Sequence, residues 1–349
     1  MARASLSTVI VAHDSLSDLR RSLPPLVDQL DSQDELIVVD NASHDGLAAE
    51  LAQLAPAARL VALGENVGFA AGANRGVDEA HGDLVVLLNP DAVVQPGWAE
   101  AIRAPWGGEW AGWMGLVLLE DGEAINTSGG ILHFTGFGWA GQMGAPTAAA
   151  PRQPTEVGFL SGACLAVPRT RWLELGGFPE HFFMYCEDVD LSLKLRLTGG
   201  RLAVAPDAIV RHDYEFAKGH HKWRLLERNR WATVIRTYPS ALLLLTFPAL
   251  LAAELAVWAA ASRGGWARMK ALATADLVAT LPALLRERRS IQAGRRVSSA
   301  AFAAPMTAEL SSPYLGSVAH SPATSRALRA YWCAVRGVLG LLERPPRGA

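Results

Sequence analysis

The chain has 349 residues, half of them hydrophobic and only 19% charged, with 32 glycines, 20 prolines and a formal net charge of −2. These figures exclude a disordered tail, a collagen-like repeat and a disulfide-rich mini-domain, and leave room for one large domain or two ordinary ones. The near-neutral total hides an asymmetry: residues 1–214 carry 13 Lys and Arg against 27 Asp and Glu, whereas residues 215–349 carry 19 against 7. An acidic half is joined to a basic half, which points to two jobs.

From the start, the apolar run Leu6–Ala12 (LSTVIVA) is too short for a signal peptide and reads as a buried strand. A cytoplasmic first half is expected, in keeping with three cysteines (Cys164, Cys186, Cys333) that form no CxxC pair. Residues 18–30 have helical spacing, Glu35–Asp40 (ELIVVD) is a second strand, and Leu47–Leu54 a helix. A strand over 59–63, a helix over 72–80 and a strand over 83–88 (DLVVLL) continue the alternation. Continuous aliphatic strands alternating with helices predict an α/β fold, its sheet parallel and covered on both faces. Ligands then sit at the carboxyl ends of the strands, here His13 and Asp14, Asp40 and Asn41, and Asn89, Pro90 and Asp91.

Residues 105–156 are rich in Gly, Trp and Pro and read as an irregular insertion. A strand-like run over 157–168, a short helix over 169–175, an amphipathic helix over 187–198 and a short strand over 201–205 follow. Beyond His212 the chain turns basic and apolar in blocks.

Four groups carry chemistry. Asn89-Pro90-Asp91 ends a strand; Asp91 could hold Mg2+ or Mn2+ together with a diphosphate, or simply cap a turn. The small-residue loop from Gly64 to Gly76, containing Asn66, Gly68, Phe69 and Asn74, could bring backbone N–H groups to an anion or serve only close packing. Glu187 and Asp188 follow the aromatics Phe182, Phe183 and Tyr185; they could accept a proton from an alcohol or act as helix caps. His212 could complete a metal site that has one carboxylate, or be structural.

Together and in order, VIVAHDS, VVDNASHDG, NVGFAAGANRG, LLNPDA, GFLSGACLAVPR, GGFPEHFFMYCEDVDLSLKLRLTGG and His212 resemble the inverting family 2 glycosyltransferases. The likeness is to the rhamnosyltransferase-like branch acting on lipid-linked cell-wall or polysaccharide intermediates, and it spans residues 6–212. It implies a GT-A nucleotide-diphospho-sugar fold with a mostly parallel central sheet in a catalytic domain, residues 1–214. By the resemblance Asp40 binds the nucleobase, with Ala12 and His13 lining its pocket, and Asn66, Gly68, Phe69 and Asn74 surround the nucleotide. Asp91 is the retained acid of the family's DXD motif, Asn89 replaces its first carboxylate, and Asp14 stands where Asn is frequent. Asp188 resembles the general base, supported by Glu187, with Asp91 and His212 holding Mg2+ or Mn2+. The implied reaction is inverting transfer of L-rhamnose from dTDP-rhamnose to a lipid-linked glycan. A UDP-sugar donor (galactofuranose, N-acetylglucosamine or similar) and a non-catalytic membrane scaffold are the alternatives. A nucleotidylyltransferase is disfavoured, since HDSLSDLRR is no pyrophosphorylase loop.

Residues 215–297 are expected to be a basic, apolar helical region that associates with membrane, and 298–349 a connector and helix. Residues 215–236 interleave Lys218, Lys222, Arg224, Arg228, Arg230 and Arg236 with Phe216, Trp223 and Trp231. With no nucleic-acid motif beside them, they suit the lipid headgroup zone rather than nucleic acid. Residues 241–261 meet the length needed to span, but Pro248 and Glu254 argue equally for an in-plane helix. The expected location is the cytoplasmic face of the cell membrane; a helical subdomain buried on itself or in a homo-oligomer is the alternative.

Overall fold

The computed structural model describes residues 3–212, 219, 221–311 and 321–342. Phe216 and Lys218, part of the expected basic stretch, lie outside the described residues, as do 312–320 and 343–349 of the expected connector and helix. The chain divides into two compact units: 1–130, 140–195 and 200–216 form the first, and 131–139, 196–199 and 217–349 the second.

In the first unit the chain runs β1 (Leu6–Ala12), α1 (Leu16–Val27), β2 (Glu35–Asp40), α2 (Leu47–Leu54), β3 (Arg59–Ala62), α3 (Gly68–Asp78) and β4 (Leu84–Leu88). Next come β5 (Val93–Val94), α4 (Trp98–Arg103), β6 (Trp110–Leu118) and β7 (Ile125–Thr127), then the paired strands β8 (Gly130–Leu132) and β9 (Gly138–Ala140), which fall largely in the second unit, and back in the first unit β10 (Thr155–Glu156). Finally β11 (Cys164–Pro168), α5 (Arg169–Glu174), α6 (Glu187–Leu197) and β12 (Arg201–Arg211) close the series. The main sheet has the order β10-β12-β6-β11-β4-β1-β2-β3. β3, β2, β1 and β4 are mutually parallel, β11 runs antiparallel between β4 and β6, and β6 and β12 are parallel. Every residue of β1 and β4 is buried, as strands covered on both faces require.

Two strands correct the expectation. The stretch expected to be irregular contains β6, nine residues long and in the middle of the sheet. Its glycines are packing devices: a Cβ on Gly115 would run into the Ala208 carbonyl and come 2.9 Å from Cys164 Sγ. The final strand is 11 residues rather than a short one, because a register shift between Ala205 and Ile209 lets it bend past Pro206 and resume pairing with β6. That second half of β12 carries the chain to His212.

The second unit holds α7 (His221–Thr237), α8 (Ser240–Arg263), α9 (Ala267–Ala293), α10 (Ser299–Ala303) and α11 (Pro322–Leu342). Phe134, from the stretch between β8 and β9, stacks on Trp332 of α11 at 4.8 Å. Four charged side chains meet among the first three helices. Lys270 Nζ lies 2.7 Å from both Glu227 and Glu254, and Arg230 lies 2.9 Å from Glu227 and 3.2 Å from Glu254. Burial would raise the Glu227 carboxyl, but Arg230 and Lys270 hold it down to about 2.

Candidate active site

The carboxyl ends of β1 and β2 carry the first group of expected residues. Ala12 is fully buried and its carbonyl accepts the Asn41 N–H at 2.8 Å; His13 is exposed, with Nδ1 2.9 Å from the Asn41 carbonyl oxygen. One oxygen of the buried Asp40 carboxylate accepts the Ser43 N–H at 2.8 Å. Asp14 accepts the His44 N–H and holds a left-handed backbone, φ 50°.

At the start of α3 the amides already have partners. Asn66 Oδ1 accepts the Gly68 N–H at 3.0 Å and the Asn41 Nδ2 at 3.0 Å, Asn41 Oδ1 accepts the Val67 N–H at 2.9 Å, and the Phe183 carbonyl accepts the Ala70 N–H at 3.0 Å. Asn66 and Gly68 therefore shape the loop through protein hydrogen bonds. Asn74 clasps a distant backbone: its amide donates to the Phe178 carbonyl and accepts the Phe178 N–H, both at 2.9 Å. Gly68 has φ +84° and a Cβ there would stand 2.5 Å from the Phe183 carbonyl oxygen. Gly68→Ala is thus expected to cost about 1–3 kcal/mol, read by thermal unfolding.

Asn89, Asp91 and His212 come together. His212 Nε2 is 3.1 Å from Asp91 Oδ1 and 3.2 Å from the Asn89 amide nitrogen. The backbone of His212 is fixed on both sides, since its main-chain N–H donates to the Leu118 carbonyl at 2.9 Å and Asn126 Nδ2 donates to its carbonyl at 2.8 Å. The β6–β12 pair therefore delivers His212 to the turn after β4. Among the described residues no three His, Cys, Asp or Glu side chains cluster as a metal site. One carboxylate oxygen and one imidazole nitrogen converging at 3.1 Å still fit a hard cation that takes its remaining ligands from a diphosphate and water.

The third group lies beside it. The Asn89 N–H donates to the Ala163 carbonyl at 3.1 Å, and the N–H of the preceding Gly162 donates to Asp188 Oδ2 at 3.1 Å. Asp188 Oδ1 accepts the Val189 N–H at 2.7 Å, and the Phe69 ring edge lies against Gly162. Burial pushes the Asp188 carboxyl up, against these two N–H bonds. Glu187 is driven further up, by burial first and then by Asp188 and Asp190, and its buried Oε2 has no hydrogen-bond partner among the described residues. Of the two, only Asp188 has N–H donors from Gly162 and Val189 to stabilise a charge on its carboxylate, and burial opposes a charge on Glu187 more strongly.

Sequence reasoning singled out Asp91, Asp188 and His212 and placed Asn41 at a strand end without giving it a role, but missed Gly162 and the strained turn before α6. Phe183, Tyr185 and Cys186 have φ of 64°, 72° and 67°; with Asp14 and Ala42 they make five of the six non-glycine positive-φ residues among those described. Such conformations cost on the order of 1–3 kcal/mol each and concentrate where function demands them.

A family model, Glycosyl transferase family 2, matches residues 7–164. The chain is 30% identical over 254 residues, 62% of its own length and 81% of the relative's, to N-acetylglucosaminyl-diphospho-decaprenol L-rhamnosyltransferase from two strains of Mycobacterium tuberculosis. A shorter match, 40% identity over 52 residues, covers 15% of this chain and 20% of Rhamnosyltransferase WbbL of Escherichia coli strain K12. A crystal structure of GalNAc-T7 with UDP, GalNAc and Mn2+ superposes with a TM-score of 0.57 at 17% identity, over 68% of this chain and about half (48%) of that one, a likeness of fold. The order of strands, the polar turn at the end of β4, and a 30% identity that runs through four-fifths of a curated relative agree: the chain belongs to glycosyl transferase family 2, as an enzyme that takes its sugar from a nucleotide donor.

Proposed function

We propose that this enzyme transfers L-rhamnose from dTDP-rhamnose to a glycan on a polyprenyl diphosphate, in a single displacement that inverts the anomeric centre. The observation that carries the choice of sugar and acceptor is the 30% identity to a relative named for both, across 81% of its length. In this reading Asp188 takes the proton from the acceptor hydroxyl as its oxygen bonds to the anomeric carbon, and the bond from that carbon to the diphosphate oxygen breaks. Asp40 and the backbone around Ala12 and His13 hold the thymine, and Asn66, Gly68, Phe69 and Asn74 shape the loop around the nucleotide. Asp91 and His212 would hold Mg2+ or Mn2+, which when bound neutralises charge gathering on the departing diphosphate.

The test is transfer from a panel of nucleotide sugars to a synthetic polyprenyl-diphosphate acceptor, after chelation and after returning Mn2+. Rhamnosylated product from dTDP-rhamnose, lost on chelation and restored by the ion, is expected; product from a UDP-sugar alone overturns the donor assignment. Because Asn89 is neutral, Asn89→Asp should tighten Mn2+ binding, seen directly in the free-ion signal by electron paramagnetic resonance.

A further inference from the structure

Of the exposed large apolar side chains among the described residues, all but Leu173 lie on α8, α9 and α11. On α8 they form a stripe, Leu244, Phe247, Leu251 and Leu255, exposed by 76, 56, 50 and 64% and spaced to share one helix face. Val278, Leu281 and Leu285 are exposed on α9. The other side of α8 is committed to protein, with Leu242, Thr246 and Leu250 buried and Glu254 held by Lys270 and Arg230. A contiguous apolar surface of this kind marks an interaction site.

The charges around it have one sign. The described residues of the second unit carry five carboxylates, and each is ion-paired: Glu227 and Glu254 in the cluster above, Asp276 with Arg224, Glu287 with Arg236, and Glu309 with Arg329. Arg263 and Arg268, at the turn between α8 and α9, and Arg286, Arg289 and Arg296, at the far end of α9, are exposed and have no carboxylate partner among the described residues. Along α9 the two arginine groups stand roughly 27 Å apart, with the apolar residues between them.

α8 is the one described helix long and apolar enough to cross a membrane. Its neighbours oppose crossing. α7 runs alongside α9 and is bound to it from end to end, by the Trp223–Trp266 stack at 4.8 Å, the Arg224–Asp276 and Lys270–Glu227 pairs, Arg288 donating to the Ile235 and Tyr238 carbonyls, and Gln292 donating to the Thr237 carbonyl. Carrying α8 and α9 across a bilayer would carry the charges of α7 into hydrocarbon, at about 2.5–3.5 kcal/mol for each charge even on the mildest scale.

We propose that the exposed face of α8 and α9 docks in the plane of one leaflet of an anionic membrane, the aliphatic stripe entering the acyl boundary and the arginines pairing with lipid phosphates. The occupant is lipid rather than a second copy of the chain, because the rim is uniformly basic and would repel itself across a two-fold axis. The proposal deepens the reading of a lipid-linked acceptor but stands on the helices alone, and vesicle binding requires no sugar transfer, so the two can fail separately.

The test floats the full chain with vesicles of phosphatidylcholine, alone or mixed with phosphatidylglycerol. Flotation with the mixed vesicles is expected, weakened at least about tenfold by Phe247→Glu with Leu251→Glu and, through lost anionic preference, by Arg286→Glu with Arg289→Glu. These side chains are solvent-exposed, so circular dichroism should be unchanged. Flotation indifferent to both pairs overturns the proposal, as does a dimer in light scattering that Phe247→Glu converts to monomer. To separate lying from crossing, Ser262→Cys in a background carrying Cys186→Ser and Cys333→Ser, which leaves only the buried Cys164, is treated with a membrane-impermeant maleimide added to the side on which the protein was bound. Labelling is expected, and protection that ends only when the vesicles are lysed shows a crossing helix and overturns it.

Discussion

Asp188→Asn is expected to lower kcat by about 10²–10⁴-fold while nucleotide binding and thermal stability stay near those of the parent. The asparagine carbonyl can still accept the Gly162 N–H that now reaches Asp188 Oδ2 at 3.1 Å, so the long-range anchor of the α6 entry is kept, while the local Val189 N–H bond to Oδ1 goes together with the proton acceptor. Glu187→Gln is the contrast: burial and the neighbouring Asp188 and Asp190 oppose a charge at Glu187, so a neutral amide should serve in its place and turnover should fall no more than a few-fold. The pH profile carries a second readout. Burial raises the Asp188 carboxyl and the base must be ionised to act, so kcat/KM should fall on the acid side through an apparent pKa above the ordinary aspartate value. Turnover near the parent level in Asp188→Asn, with nucleotide still bound, sinks the assignment.

Lys270→Met should be the most damaging change in the second unit, at about 3–5 kcal/mol by denaturant unfolding. The ammonium is almost fully buried and sits 2.7 Å from two carboxylates, which its loss would leave sharing the Arg230 charge, with the Trp231 indole N–H as a neutral donor to Glu254. Adding Glu254→Met leaves one carboxylate facing one guanidinium and should recover most of the loss, a non-additivity that a merely steric effect would not produce. Acid works in the same direction. Glu227, held at about 2 in the folded chain, contributes roughly 3 kcal/mol at pH values above the usual glutamate pKa. That contribution drains away as the pH falls from about 4.3 towards 2, because the unfolded chain takes up the proton first.

β1, β2 and β4 were legible because continuous aliphatic runs in strands buried on both faces leave little else for those segments to be. β6, WAGWMGLVL, was not, since its tryptophans and glycines mimic loop composition; only the Ala208 carbonyl and Cys164 sulfur pressed against Gly115 explain why a side chain is missing there. The same holds at the site. Asp91, His212 and Asp188 announce themselves as polar groups at element ends, whereas the Asn41–Asn66 and Gly162–Asp188 bonds join positions 25 and 26 residues apart. Positive φ at Phe183, Tyr185 and Cys186 has no compositional signal; at Phe183 it accompanies close packing against Gly68 and a hydrogen bond from the Ala70 N–H of α3. Glu254 argued from sequence against a simple crossing helix, and its partners Lys270 and Arg230 supply the physical reason.

The hydrogen bonds of Ala163 and Gly162 have a consequence for the spacing of the reaction. The Ala163 carbonyl anchors the Asn89 turn and the adjoining Gly162 N–H anchors Asp188, so consecutive residues hold the two groups to which the proposed function assigns the leaving diphosphate and the proton. In the proposed displacement that interval is ruled by covalent backbone, not by rotamers. Side-chain exchange nearby should therefore change affinity and rate, while a one-residue insertion between Ser161 and Cys164 should abolish coupling between leaving group and base even with every catalytic side chain intact.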